Sequence, residues 1–503
     1  MATWNTGLSN KRARREASPS RDASLLAFPA ILILQRLAIR QQDCHKYAAG
    51  LPRDNRLDFR YSYVSYTKNT PAIFDRPRCN TACKNKEKQA MSETLITSQN
   101  ELASKPKPYM TFDCGPLSCK TDIPGLEFDF NYGIRVNVPE GNWRVKFIDR
   151  DQCLTLYDAK ASATQVTSTK KYYVNFRLEI YKNEKLVLEH DLNLARKNVL
   201  IKFPTGILGD VISWFPYAQA FKHAHDCELY CAMDPKMKEL FQPTYPELHF
   251  IGPEERPDNT YATYYMGIFF PCSDRVHQPL DFRITGLQKT IPYLLGLKAE
   301  EIRPVILPTS QERSIPEPYV CIAAQSTTQA KYWNNPGGWL KTIKYLKSLG
   351  YRVLCIDQKD CHGSGSRWNT IPYGAEDFTG RRPLTERVNL LYHADFFIGL
   401  SSGLSWLAWA VGKPVVLISG FTLPFNEFYT PYRLINYHVC NGCWNDATIE
   451  FVHSDFAWCP RHKDTDQQYE CSRFITPESV NQAIDRLMKD HGLRPSRRNE
   501  EKS

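Results

Sequence analysis

Nothing in the chain constrains its fold more than an alternation that begins at Asn198 and runs to Ser419: short apolar runs of strand type take turns with helical repeats. NVLIKFP is a strand of the buried kind, and TGILGD leads from it into an amphipathic helix over 211–223. ELYCAM, a helix near 236–241 and LHFIG follow. A second series opens with YVCIAAQ at Tyr319 and continues through a helix over 338–349, RVLCID, a helix over 384–393, FFIGL, a helix over 404–411 and PVVLIS. Strands separated by helices run in the same direction, because a parallel return needs a crossover about as long as a helix. Each series therefore predicts an open α/β sheet, and two Rossmann-like lobes are expected, over 198–305 and 306–435.

The stretch before them has a shorter period. LEFDFNYGIRVNV, WRVKFIDR, CLTLYDA, YYVNFRLEIY and KLVLEHDL alternate in twos between Pro, Gly and Asn signals, which predicts an all-β domain, a sandwich or small barrel, over 91–197. It carries no catalytic grouping, so a scaffold or subunit-contact role is expected. Residues 1–90 mix Arg clusters with isolated apolar runs and hold no sustained period. They are expected to be a disordered basic extension. Met91 opens MSETLITSQNE, an acceptable start, and translation is expected to begin there; a basic disordered arm is the alternative. A helix and tail are expected over 477–503.

Charge and cysteine content narrow the function classes. Of the formal charge of +10, all comes from residues 1–90, where 17 Lys and Arg stand against 7 Asp and Glu. The rest of the chain is formally neutral, and phosphate-backbone binding needs a positive surplus on one face, so no nucleic-acid partner is expected. The longest apolar stretch, 25–39, is about half a membrane crossing and contains Pro29 and Arg36, so no membrane span is expected. Sixteen cysteines in a long chain without a secretory signal suit a reducing cytoplasm.

Two turns between strand ends and helix starts carry candidate chemistry. In Thr205-Gly206-Ile207-Leu208-Gly209-Asp210 the glycines allow a tight turn and close approach of a second molecule, which exposes the Asp210 carboxylate to the cleft. That carboxylate suits a general base for a hydroxyl acceptor; an ordinary helix cap is the alternative. In the second lobe, Ser401-Ser402-Gly403-Leu404 opens a helix whose first amides and hydroxyls suit a diphosphate. Lys331, just past another strand end, adds an ammonium for the same phosphates.

The third constellation is four thiols: Cys440-x2-Cys443, then Cys459 and Cys471. A CxxC pair holds two corners of a tetrahedron and two later cysteines close it. Chemistry alone makes zinc the default metal and iron the runner-up, with disulfides as the structural alternative. Cys79 and Cys83, Cys114 and Cys119, and Cys227 and Cys231 have metal-like gaps without a convincing second pair, and read as small buried or free thiols.

LGDVISWFPYAQAFKH resembles the opening motif of ADP-heptose glycosyltransferases of the GT-B fold. Lys331-Tyr332-Trp333 with Pro336 and Trp339 is similar to their lysine-tryptophan segment, and GLSSGLSWLAWAVGKPVVLISG to their donor-phosphate motif. One departure stands out: Ser401-Ser402-Gly403 occupies the place of Asp-Thr-Gly in the lipopolysaccharide heptosyltransferases, so the motif does not carry the identity of the sugar. NYHVCNGCWNDATIEF, WCPRH and YECSRFITP, with a β domain before the first lobe, resemble the bacterial autotransporter heptosyltransferases. The resemblance covers roughly 109–477. It implies a GT-B fold, an ADP-heptose donor, serines of autotransporter passenger proteins as acceptors, and a homododecamer. It also implies one ferric iron per subunit held in a loop over 436–476 by Cys440, Cys443, Cys459 and Cys471, with zinc as the alternative. Asp210 would be the base, and Thr205, Gly206, Gly209, Lys331, Ser401, Ser402, Gly403 and Leu404 the donor contacts.

The expected reaction is an inverting transfer in a cleft between the lobes. Three rivals stand beside it: a transferase using another ADP- or UDP-sugar, a non-catalytic metal-stabilised binding protein, and a redox protein with an Fe–S4 centre.

Overall fold

The computed structural model describes residues 114–494 apart from position 205. The basic extension, the Met91 start, Thr205 and residues 495–503 lie outside the described residues.

In the first lobe the strands His249–Ile251, Glu228–Ala232, Asn198–Lys202 and Ala262–Tyr265 lie side by side and parallel. The second lobe sets Glu376–Asp377, Arg352–Cys355, Tyr319–Ile322, Phe397–Leu400, Val415–Ile418 and Arg433–Leu434 in one parallel sheet. Its central strands are apolar on both faces, as a sheet covered on both sides requires. Val320 and Ile322 point into one core, with Ile343, Val480, Ile484 and Leu487 from the helices Gly338–Ser348 and Pro477–Asp490. Cys321 and Ala323 point into the other, which continues into the first lobe. The helix Pro477–Asp490 starts cleanly, with Pro477 at a first-turn position and the Thr476 hydroxyl accepting the Ser479 N–H. Val480, Ile484 and Leu487 recur on one helical face and are fully buried, each contributing roughly 1.5–3 kcal/mol.

The β region is half of what the alternating pattern predicts. Leu154–Ala161, Trp143–Asp149, Phe176–Lys182 and Lys185–Asp191 form an antiparallel sheet, and Trp143–Asp149 buries every second residue. The facing layer is no separate sheet. Glu127–Asn131 pairs in parallel with Ala262–Tyr265, so Arg135–Val138 and Thr164–Thr167 extend the first lobe's own sheet. A buried polar knot fastens this junction: the Thr263 hydroxyl donates to Asn131 Oδ1 at 2.6 Å, and the Asn131 amide donates to Asp129 at 2.7 Å. At Asn198 the chain passes from the antiparallel sheet into the larger one, which the earlier strands Glu127–Asn131, Arg135–Val138 and Thr164–Thr167 have already joined.

The helix expected over 211–223 is two helices, Leu208–Trp214 and Pro216–His225. Pro216 has no N–H to continue the first ladder, but its fixed φ suits the first turn of a second.

Candidate functional site

The two lobes meet at two glycines. An added Cβ on Gly209 would lie 2.9 Å from the Trp406 ring and 3.1 Å from Gly403 Cα. One on Gly403 would lie 3.0 Å from Gly209 N and 3.0 Å from Leu208 Cβ. The helices Leu208–Trp214 and Gly403–Ala410, one from each lobe, therefore touch backbone to backbone at their starts. The close approach expected at Gly209 is made first of all by the other lobe. Gly209→Ala and Gly403→Ala are each expected to destabilise the protein by about 1–3 kcal/mol through overpacking, a lower midpoint in thermal unfolding.

Around this contact lie two connected spaces at the carboxyl ends of both sheets, where open α/β sheets bind ligands. A cavity of about 260 Å³ is lined by Gly209, Asp210, Lys331, Ser401, Ser402 and Gly403. A larger cleft of about 1270 Å³ takes Gly206 and Leu404, with Lys359, Asp357, Arg381 and Arg382. Ile207, Thr327, Ser402 and Gly403 line both. Every predicted donor residue within the described part thus borders one space or the other.

Asp210 is the third residue of its helix, and its Oδ2 accepts the Ile207 N–H at 2.9 Å. It is a cap, as the alternative reading had it, and it also faces the cavity. The cap holds the carboxylate in place. Burial pushes its pKa up, while the Ile207 N–H and the Lys331 charge pull it back.

Lys331 ends the turn Gln329–Lys331, and its Nζ stands 5.3 Å over the Phe421 ring and 6.0 Å over the Trp444 ring. Burial lowers its pKa, and Asp210 and Glu427 across the cavity favour its charged form. Ser401 lines the cavity with its hydroxyl already engaged. Its hydroxyl is buried and lies 2.9 Å from Thr422 Oγ1 and 3.3 Å from Ser419 Oγ, a closed hydroxyl cluster at the cavity wall.

The cysteine loop reaches the same cavity. Trp444 follows Cys443 directly, and Phe451, His453 and Asp455 line the wall. The Phe456 carbonyl accepts the Gln329 N–H and the Thr328 hydroxyl, each at 2.9 Å, which pins the Lys331 turn. Asn334 Nδ2 donates to the Ser472 hydroxyl, next to Cys471, at 2.9 Å. Cys443, Cys459 and Cys471 are buried, and Cys443 and Cys459 share a small core with Phe421 and Trp458. Burial pushes the Cys440 thiol up to about 12, with Glu470, Cys443 and Cys459 adding to the shift. Burial also raises the Cys471 thiol, and the other three cysteines raise it further. Burial keeps these thiols protonated unless a cation takes the proton's place, so the chemistry of the donor set suits a thiolate-bound metal. Arg461 Nη1 stands 3.6 Å from Cys443 Sγ and offsets part of the negative charge.

Among the described residues it is Cys440, His462 and Glu470, not the four predicted cysteines, whose ligand atoms lie within 4.8 Å of one another. Glu470 Oε1 already accepts the Cys440 N–H at 3.0 Å and lies 3.5 Å from His462 Nε2. That engagement makes the pair a support around the cysteines.

Comparison with known proteins matches two stretches of the chain. Residues 124–184 match the family model of the glycosyltransferase TibC N-terminal domain, and residues 291–453 match glycosyltransferase family 9 (heptosyltransferase). An autotransporter heptosyltransferase of Citrobacter rodentium (strain ICC168) is 53% identical over 386 residues, 76% of this chain and 94% of its own. The chain belongs to the autotransporter heptosyltransferases.

Another member of the autotransporter heptosyltransferases, TibC of Escherichia coli O78:H11, is 53% identical over 72% of this chain and 89% of its own. The crystal structure of TibC, an iron-containing dodecameric glycosyltransferase, aligns with a TM-score of 0.72 at 49% identity, over 75% of this chain and 99% of that one. A second TibC structure holds ADP-D-β-D-heptose. The paired α/β lobes with their β region are the expected GT-B fold. The inactive autotransporter heptosyltransferase BimC of Burkholderia thailandensis is also a relative, 42% identical over 72% of this chain and 85% of its own. The family therefore includes a member named inactive beside members named as heptosyltransferases. No helix among the described residues is long and apolar enough to cross a membrane.

Proposed function

We propose that this chain transfers heptose from ADP-heptose to serine hydroxyls of an autotransporter passenger protein, with inversion, in the cavity between its lobes. The observation that carries this reading is the pairing of Asp210 from one lobe with Lys331 from the other on a small cavity that shares its edge with a larger cleft. A nucleotide sugar has the same two-part form. The sugar suits the smaller space, the nucleoside the larger cleft, and the diphosphate the shared threshold of Thr327, Ser402 and Gly403 at a helix start.

The passenger serine enters beside Asp210, whose carboxylate accepts its proton as the oxygen attacks the anomeric carbon. ADP leaves from the opposite face, and Lys331 with the first amides of the helix Gly403–Ala410 meets its growing charge.

Cys440, Cys443, Cys459 and Cys471 would hold one ferric iron, as the iron content of TibC suggests; the thiolate set suits zinc as well. Held there, the metal would serve structurally, by fixing the loop whose Trp444 lines the cavity and whose Phe456 carbonyl pins the Lys331 turn. Thiols that must stay reduced to bind it put the enzyme in the cytoplasm. By likeness to TibC the working form is a homododecamer.

Co-expression with a serine-rich autotransporter passenger, followed by intact-mass measurement, tests the reading. Heptose-sized increments are expected. Hexose-sized increments would redirect it to another nucleotide sugar, and an unmodified passenger would end it.

A further inference from the structure

A third charged group borders the small cavity, and the transfer chemistry leaves it without a task. Glu427 is 7% exposed, follows the turn Pro424–Asn426, and lines the cavity with Asp210 and Lys331. Its Oε2 accepts Arg433 Nη1 at 2.8 Å. Arg433 is fixed in turn by donating to the Phe428 carbonyl at 3.1 Å. The only other contact on the carboxylate is a longer one, from Asn426 Nδ2 to Oε1 at 3.3 Å, among the described residues. Asn426 is itself held: its Oδ1 accepts Asn445 Nδ2 at 3.2 Å, and its carbonyl accepts the Leu287 N–H from the first lobe.

A carboxylate accepts about four hydrogen bonds, so Glu427 keeps acceptor capacity towards the cavity while its back is clamped. A buried ion pair is weak evidence for a stabilising role, which leaves the cost of keeping this charge here unexplained by the fold. The other acidic groups on the cavity are already engaged. Asp210 serves as base, and Asp455 accepts Lys463 and the Ala457 N–H. The hydroxyls of Ser401, Ser419 and Thr422 bond one another.

We propose that Glu427 is a specificity-determining residue that accepts hydroxyl hydrogens of the donor's sugar and fixes the ring between Lys331 and Asp210. This rests on the reading of the cavity as the sugar site. A polyol is the ligand class such a group suits: its hydroxyls donate to a rigid carboxylate, and a ligand lacking the sugar does not touch it.

The test compares binding of ADP-heptose and ADP by calorimetry in wild type, Glu427→Gln, and the double variant Glu427→Leu/Arg433→Leu, which removes both buried charges together. Charge-assisted hydrogen bonds of this kind correspond to about 10- to 100-fold in affinity. ADP-heptose binding is expected to weaken by that factor in both variants, with ADP binding unchanged. Unchanged ADP-heptose binding in either folded variant would overturn the proposal, as would an equal loss for both ligands, which marks a structural role. If wild type binds ADP but gains nothing from the heptose, the sugar-site reading itself fails, and that result is separate from either variant's.

Discussion

Asp210→Asn is expected to lower the rate of transfer by about 10²- to 10⁴-fold while leaving ADP binding intact. The asparagine keeps the shape of the side chain, and its amide oxygen still accepts the Ile207 N–H, so the cap and the lobe contact survive. What goes is the acceptor for the serine proton. The wild-type pH profile carries the same signature. A base works when deprotonated, so activity falls as pH drops through its pKa, and burial sets that pKa above the ordinary aspartate value. The acid limb of kcat/KM is therefore expected at a higher pH than an ordinary aspartate would give, and it disappears in the variant. Near-normal turnover by Asp210→Asn would remove the residue from the mechanism.

Cys443→Ser is expected to have the larger effect on the molecule as a whole. It removes one of four thiolates from a site type whose metal contributes on the order of 10 kcal/mol to the folded state. The neighbours of Cys443 carry the loss into the cavity. Trp444 stands over Lys331, and Asn445 Oδ1 accepts the Leu423 N–H at 2.9 Å while its Nδ2 donates to the Arg283 carbonyl at 2.9 Å. Metal content, thermal unfolding and ADP affinity are expected to fall together. A metal-free variant with the wild-type melting curve and activity would contradict the structural role of the site.

Much of this was legible in the residues before any coordinates. Helix Leu384–His393 has the expected bounds, because its apolar positions recur at helical spacing between Pro383 and the next strand. Asp210, Lys331 and Ser402 stood out because each follows a strand of buried type, where α/β sheets place their ligands. The bonding of Ser401 to Ser419 and Thr422 was not legible, since those partners lie in a different strand–loop segment. The split of the β region was hidden for a physical reason: the pairing of Ala262–Tyr265 with Glu127–Asn131 joins segments far apart in the chain, and local period says nothing about partners. Glu427, Trp444, His453 and Asp455 were missed because they sit in loops without period or motif. An acid three residues after the turn proline, Pro424-Phe425-Asn426-Glu427, was the one available hint.

The central claim is that sugar and base meet in the cavity between the lobes. A crystal structure of this chain with ADP-heptose tests it most directly. The account predicts the diphosphate within hydrogen-bond distance of Ser402 and Gly403, the Lys331 ammonium beside it, and the anomeric carbon in the small cavity facing Asp210. A donor bound with its heptose outside that cavity, turned away from the Asp210 carboxylate, would contradict it.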